Sequence, residues 1–267
     1  MVYNEELLIM DSYLIDSHAH IYLKDFKGDI KDVISRSCEG GVKKILLPNI
    51  NLETVPAVLN LSNKFKNICY PMLGLHPCYL KEDYKEEIDK IFENFNEKII
   101  AIGEIGIDLF RSSKNFNNQA DALRIQCSIA IKKNLPIVIH TRNSVDETIE
   151  IISEFKKQNL RGVFHCFVGN FIQAKKIIDL GFLIGVGGIL TFKNSNLKNI
   201  ISQINLKNII LETDSPYLSP EPKRGKRNEP LNINFVAEKL SILHSLPLKN
   251  IIKITSNNVN DLFFKLK

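Results

Sequence analysis

The chain has 267 residues, of which 44% are hydrophobic and 24% charged, and its 35 Lys and Arg against 30 Asp and Glu give a formal net charge of +5. This length and apolar content can fill one large core, and the small basic excess allows a polyanionic partner without requiring one. No apolar run approaches the ~20 residues of a membrane span, and acidic residues stand where a signal peptide needs basic ones. We therefore expect neither a membrane segment nor a secretory signal.

The cysteines indicate a reducing compartment. They number five, an odd count, and no C-x-x-C pair occurs among them. Such usage is typical of reduced thiols, so we expect a cytoplasmic protein. Cys166 directly follows His165, and on a strand it would face the opposite way, so we expect it to pack in the core.

Apolar, β-branched segments recur along the chain with segments of helical length between them. After a short extension at 1–12, strands are predicted at 13–20, 43–50, 68–76, 99–108, 135–142, 161–169, 181–189 and 208–215. The clearest helix is 117–134, where apolar residues recur at helical spacing. Eight strand–helix units in this length predict an α/β fold, a single-domain (β/α)8 TIM barrel over 1–267. A doubly wound sheet is the alternative, but the Gly-rich turn of dinucleotide-binding folds is missing after the first segment.

The first predicted strand carries two histidines in the stretch "LIDSHAH". In a strand His18 and His20 share a face, with Asp16 in line behind them. Two neighbouring imidazoles chelate a metal well, although an H-x-H pair alone could equally be hydrogen-bonded.

Potential metal ligands stand at the end of most predicted strands. Five of the six histidines do so, and only His244 does not. The residues concerned are His18, His20, His76, Glu104, His140, His165 and Asp214. Strand ends of a barrel meet on one rim, where the four imidazoles other than His76 and the two carboxylates exceed one tetrahedral site and suit two metals that share a carboxylate. The alternative is a set of separate hydrogen-bonded residues.

These motifs make the chain similar to a known family. "DSHAH", "GLHP", "AIGEIGID", "LPIVIHTR", "FHCFVG", "GVGGILTF" and "LETDSPYLSPEPKRGKRNEP" occur in this order between about Leu14 and Phe264. The sequence resembles the TatD-like metal-dependent deoxyribonucleases of the amidohydrolase-type barrels. It departs from them at "GIDLFRSS", where the family usually shows Tyr after Asp.

The resemblance implies a role for each residue at a strand end. His18, His20 and Asp214 would bind one metal, Glu104 would bridge, His140 and His165 would bind the second metal, and His76 would stand beside the substrate. Asp214, on a metal and near the water it activates, is the candidate general base. Asp108 could orient a ligand or Arg111, or could simply close the strand at the surface.

Basic residues near these motifs are candidates for phosphate binding. Arg142 follows His140 by two residues and could contact a phosphate bidentately. The loop "KRGKR" at 223–227 follows the last predicted strand, where barrels often bind phosphate. We expect Arg224 and Lys226 to contact substrate there, the alternative being a solvated basic loop.

Together these features predict a metal-dependent deoxyribonuclease. The resemblance implies 3′–5′ exonuclease action on single-stranded DNA, with two divalent ions: Mg or Mn for activity, and Zn, Fe or Ni as possible bound metals. The alternative is a hydrolase of another ester or amide, in a small molecule or an aminoacyl-tRNA, because fold does not fix function. We expect no membrane association and no obligate protein partner.

Overall fold

The computed structural model describes residues 12–111 and 115–266. Residues 1–11 of the extension predicted at 1–12 lie outside the described residues. The described residues contain eight strands: β1 (Leu14–Asp16), β2 (Val42–Leu47), β3 (Cys69–Pro71), β4 (Ile102–Asp108), β5 (Ile137–Arg142), β6 (Gly162–Phe164), β7 (Leu183–Val186) and β8 (Ile209–Leu211). Each lies within or one residue from its predicted segment.

These strands form a closed parallel barrel. Strands β1 to β3 pair in order, and so do β4 to β8, every pair being parallel. A parallel bridge between Leu73 and Ile102 joins β3 to β4, and one between Ala19 and Ser215 joins the ends of β1 and β8. The prediction of a (β/α)8 barrel is confirmed.

Helices follow each strand and cover the outside of the barrel. In the described part of the chain they are α1 (Ile30–Glu39), α2 (Val55–Lys64), α3 (Tyr84–Phe92), α4 (Phe116–Lys133), α5 (Val145–Ser153), α6 (Phe171–Asp179), α7 (Leu197–Ile201), α8 (Ile233–His244) and α9 (Leu248–Leu262). Helix α4 matches the segment predicted at 117–134 to within one residue. None of the described helices is both long and apolar enough to cross a bilayer.

Most strands are shorter than predicted, because their polar ends leave the regular ladder. Strand β1 ends at Asp16. His18 and His20 therefore follow the strand, whereas the prediction had placed them on it. Asp16 does not line up behind them either. Its buried carboxylate accepts hydrogen bonds from the backbone N–H and the hydroxyl of Thr213, and so ties the ends of β1 and β8 together.

The inside of the barrel has an apolar layer below a polar one. Ile15, Leu46, Met72, Val138, Val163 and Ile210 form one buried cluster that the end of α9 closes. His140 lies two residues beyond Val138, on β5. His165 and Glu212 lie two residues beyond Val163 and Ile210, just after the ends of β6 and β8. Because side chains alternate along a strand, these three polar groups share the inner face and lie above the apolar layer.

A glycine allows β4 to approach β5 closely enough to build this layer. Gly106 has φ +145°, and a Cβ there would lie 2.0 Å from the backbone oxygen of His140. Any side chain at this position would push β5 and its histidine away. The glycines of "AIGEIGID" therefore serve the placement of Glu104 and His140.

Candidate metal centre

The predicted site residues meet in one cleft at the carboxyl ends of the strands. The cleft has a volume of about 630 Å³ and is lined by His20, His76, Glu104, His140, His165 and Asp214, among other residues. His18 lies directly beneath it and is fully buried. All seven residues at the predicted strand ends thus come together, although up to 196 positions separate them (214 − 18).

Four potential metal-ligand atoms, one each from His18, His20, Glu104 and Asp214, surround a common point. Nε2 of His18 lies 3.1 Å from Nε2 of His20 and 3.3 Å from Oε2 of Glu104. Oδ1 of Asp214 lies 3.7 Å from the first of these nitrogens and 3.5 Å from the second. A tetrahedral ion with bonds of ~2.0–2.2 Å holds its donors ~3.3–3.6 Å apart, so this group has the spacing that a divalent ion needs.

A second group surrounds the other oxygen of the same carboxylate. Oε1 of Glu104 lies 2.9 Å from Nδ1 of His140, 2.9 Å from Nε2 of His165 and 3.2 Å from Nε2 of His76. Each oxygen of Glu104 therefore faces a different set of imidazoles. This is the arrangement of a carboxylate that can be shared between two cations.

The electrostatics of the cleft favour positive charge. Burial would raise the pKa of Glu104, but the surrounding imidazoles of His76, His165 and His18 hold it well below its usual range. Burial likewise opposes protonation of His20, yet hydrogen bonds to Asp214 and Glu104 raise its pKa to about 10. Buried carboxylates that hold a second proton on His20 this strongly would also hold a metal cation.

The remaining ring nitrogen of each histidine determines where its proton sits. The hydroxyl of Tyr22 donates to the backbone oxygen of Pro48 at 2.7 Å, and it lies 2.9 Å from Nδ1 of His20. Its single proton is used, so it accepts from Nδ1–H, and the Nε2 lone pair faces the cleft when a cation replaces the proton on that nitrogen. Asp108 acts similarly, because its Oδ2 lies 3.1 Å from Nε2 of His140 and directs the Nδ1 lone pair towards Glu104.

His76 has the opposite arrangement. Its Nδ1 accepts a 3.0 Å hydrogen bond from the backbone N–H of Cys78, so the neutral ring carries its proton on Nε2. Burial lowers its pKa to about 4, which keeps the ring neutral at pH 7. His76 therefore presents a hydrogen-bond donor to the cleft, whereas His20 and His140 present lone pairs.

The sequence and the fold of the chain can be compared with those of known proteins. A family model described as TatD-related DNase matches residues 15–264. The chain belongs to the TatD-related DNase family. The resemblance seen in the motifs is confirmed, and with it the prediction of a metal-dependent hydrolase at the level of the family.

Relatives in this family match over nearly their whole length. A metal-dependent hydrolase of Buchnera aphidicola is 37% identical over 94% of this chain and 99% of its own, and the metal-dependent hydrolase YabD of Bacillus subtilis is 32% identical over 94% and 98%. The crystal structure of YjjV, a TatD homologue from Escherichia coli, superposes with a TM-score of 0.88 at 30% identity and covers 94% of this chain and 98% of its own.

Two residues of the TatD-family site were not expected from the sequence. Glu212 is fully buried beside His165, and "LETDSPYL" could have revealed it, because Glu212 precedes Asp214 by two residues. Cys166 was expected to pack in the core. It lines the cleft instead, because β6 ends at Phe164 and Cys166 has φ 46°, where strand alternation no longer applies.

Of the predicted phosphate-binding residues, one lines the cleft. Arg142 lines the cleft, as does Arg111. The guanidinium of Arg142 stacks on the ring of Phe110 at 3.8 Å. Arg224 and Lys226 are exposed and are not among the lining residues. The guanidinium of Arg224 stacks instead on Phe192 at 3.8 Å.

Aromatic side chains border the mouth of the cleft. Tyr79, Phe110 and Tyr217 line it from three different strand–helix loops, and their exposed fractions are 40%, 61% and 52%. Sequence reasoning did not single them out, because an aromatic residue in a loop carries no signal until the loops are placed around one opening.

Proposed function

We propose that this member of the TatD family hydrolyses phosphodiester bonds of DNA and acts on single strands from their 3′ ends, with two divalent ions. The main support for the proposal is that the two carboxylate oxygens of Glu104 face two different groups of histidines. The direction of digestion comes from the family resemblance alone.

The six predicted ligands would hold the two ions, with Glu104 shared between them. His18, His20 and Asp214 would complete one site, and His140 and His165 the other. Bound divalent ions make water a stronger acid and neutralise charge on a phosphate that undergoes in-line displacement. Imidazole donors suit Zn, Fe or Ni, and the carboxylates also accept Mn or Mg.

Asp214 would accept the proton of the attacking water. Its side chain is 15% exposed, more than that of Glu104 at 3%, so water can reach it. Burial opposes its ionisation, but the hydrogen bond to His20 and the nearby His18 lower its pKa. The group is therefore an anion at neutral pH and can act as a general base.

His76, Arg142 and Arg111 would bind the phosphate that reacts. The Nε2–H of His76 points into the cleft as a neutral donor, and the two guanidinium groups line it. Donors aimed at developing negative charge are an effective means of transition-state stabilisation. We assign the phosphate to these three residues and expect Arg224 and Lys226 to act, if they contact substrate, on phosphates further along the strand.

The aromatic mouth supports a single-stranded substrate. Tyr79, Phe110 and Tyr217 offer exposed ring faces on which unpaired bases can stack, an interaction of ~1–3 kcal/mol per base. Bases of a duplex are already stacked and cannot use these faces. The five thiols, all free, agree with a cytoplasmic location for this activity.

An assay of metal-defined protein tests the proposal. Metal-free protein is reloaded with Mg, Mn, Zn or Ni and presented with single-stranded DNA, duplex DNA, RNA and a panel of carboxylic esters and amides. We expect the highest kcat/KM on single-stranded DNA, and none of this activity in Glu104→Ala. Preference for an ester or amide would replace the proposal with the alternative hydrolase, for which a cleft of about 630 Å³ is also large enough.

A further inference from the structure

Glu212 is a fully buried carboxylate that the proposed chemistry does not use. It follows β8 on the inner face of the barrel, two residues after Ile210 of the apolar layer. A Cβ at Gly185 of β7 would lie 2.6 Å from its Oε2, so the glycine leaves room for the carboxylate. Burial of such a group is costly unless it has partners, and its partners therefore indicate its purpose.

Glu212 contacts both His165 and the residue that follows it. Its Oε1 accepts a hydrogen bond from the backbone N–H of Cys166, the residue that follows the histidine. The same oxygen lies 3.5 Å from Nδ1 of His165. One carboxylate thus fixes the backbone that follows His165 and also faces the Nδ1 side of its ring.

Three polar atoms around this point have no hydrogen-bond partner among the described residues. They are Nδ1 of His18, Nδ1 of His165 and Oε2 of Glu212. The rings of His18 and His165 stack in parallel, with centroids 3.8 Å apart and an angle of 7°. One ligand atom from each of the three residues lies within 4.8 Å of the others, and the ion pair within 4 Å is that of Glu212 with Nδ1 of His165.

We propose that Glu212 is a positioning residue that keeps the proton of His165 on Nδ1, and so leaves its Nε2 lone pair free for metal. The inference rests on the metal centre of the proposed function. Asp108 provides the parallel, because it holds the proton of His140 on Nε2 and leaves the Nδ1 lone pair facing Glu104. Carboxylates behind ligating histidines raise the basicity of the ligand and fix the ring.

A further cation bound by Glu212 itself is the competing explanation. Such an ion would have only three protein donors, and the apolar layer of Ile210 and Val163 lies on the side away from the cleft. A hydrogen-bond acceptor needs neither further donors nor an entry path. The buried position and the double contact with His165 and Cys166 therefore favour the positioning role.

The test measures metal binding, which does not depend on the substrate. Metal-free wild type, Glu212→Gln and Glu212→Met are titrated with Mn²⁺ and with Co²⁺, and the affinity and stoichiometry of each ion are recorded. The amide of Gln can donate to a ring nitrogen and favour the wrong tautomer, and Met removes the acceptor. The control is Glu87→Gln, since Glu87 is a buried carboxylate on α3 that accepts the backbone N–H of Leu52.

We expect both Glu212 variants to bind at least one ion 10–100-fold more weakly, the usual effect of losing such a partner. The metal-free Gln variant should unfold close to the wild-type temperature, because Gln has nearly the shape of Glu and keeps an oxygen that can accept from Cys166. Wild-type affinity in both variants would overturn the proposal, and so would three ions at saturation in wild type against two in both variants, which would indicate a third cation at Glu212. A wild type that binds no ion would refute the metal centre itself.

Discussion

The backbone N–H of Cys78 donates a 3.0 Å hydrogen bond to Nδ1 of His76. This contact distinguishes His76 from His140, although both rings lie within 3.2 Å of the same oxygen of Glu104. Nδ1 of His76 uses its lone pair to accept, so Nε2 carries a proton. Nδ1 of His140 keeps its lone pair, because the ring proton is on Nε2, which donates to Asp108.

Replacing each of these histidines by alanine should therefore give different results. We expect His76→Ala to retain the wild-type metal content while kcat falls about 10²-fold, the usual loss when one donor to a transition-state oxygen is removed. His140→Ala should lose about one ion per chain as well as activity. Elemental analysis of both proteins after gel filtration measures this, with His244→Ala as the control that changes neither. Loss of an ion from His76→Ala would make His76 a ligand.

Asp214→Asn should separate metal binding from proton transfer. Asparagine keeps the shape and one oxygen near His18 and His20, so we expect much of the metal to remain. It cannot accept a proton from water, and kcat should fall on the order of 10²–10⁴-fold with a smaller change in KM. Steady-state kinetics on an oligonucleotide at equal metal loading checks this. A rate close to that of the wild type would show that another group takes the proton.

The positions of the strands and the set of possible ligands could be predicted because both are encoded locally. Each strand is an apolar, β-branched run, and the parallel order follows from the helices between them. Closure of the parallel barrel brings His18 and Asp214 together, since the first and last strands become neighbours and their ends share a rim.

The roles of the individual histidines could not be predicted in this way. They depend on what each second ring nitrogen meets, and these partners come from elsewhere in the chain, as Tyr22 does for His20 and Asp108 for His140. Strand alternation also failed at Cys166, because the ladder stops before it and its backbone turns to positive φ. The ends of strands, where the chemistry lies, are the positions at which periodicity carries least information.

Phe110 should bind a nucleobase if the substrate is a single strand. Its ring is 61% exposed at the mouth of the cleft and carries Arg142 on one face. Phe110→Leu removes the stacking surface, so we expect KM for an oligonucleotide to rise roughly 5–150-fold, which corresponds to ~1–3 kcal/mol. On a strand with abasic sites near its 3′ end, wild type and variant should have similar KM values.

Phe264→Leu provides the matched control for Phe110→Leu, because Phe264 is also exposed (38%) but does not line the cleft. Its KM should equal that of the wild type on both substrates. If Phe110→Leu raises KM equally on normal and abasic strands, the ring acts through Arg142 and not through a base.

Arg227 should contribute to stability, although it lies in the basic loop. It pairs with Asp29 at 2.7 Å and with Glu229 at 2.9 Å, and its hydrogen bond is the main reason that the pKa of Asp29 falls to about 2. A carboxyl with a lowered pKa stabilises the fold above its unfolded pKa of ~3.9, and this stabilisation is lost as the pH falls towards 2. Arg227→Gln should therefore unfold at a lower temperature than wild type at pH 7.

Thermal unfolding between pH 7 and pH 2 measures this difference. The gap between wild type and Arg227→Gln should be constant down to about pH 4 and should narrow below it. Lys226→Gln, one residue away and exposed, should match the wild type at every pH. A gap that persists at pH 2 would assign the effect to the stacking of Arg227 on Phe26.

The other cations of the loop provide the last test of DNA as the substrate. Lys223, Arg224 and Lys226 are exposed, and Arg227 is excluded from the change because it is held by Asp29 and Glu229. If the loop binds a strand beyond the scissile bond, each phosphate contact adds about −0.7 to the salt dependence of binding. Changing all three residues to Gln should then raise KM for an oligonucleotide and flatten its logarithmic salt slope by up to about 2.

A small chromogenic phosphodiester has no flanking phosphates, so its hydrolysis should not change. Equal losses on both substrates would indicate damage to the metal centre, and no loss on either would make the loop a solvated surface. Only the loss of remote binding with the chemistry intact supports a polynucleotide over a small ester.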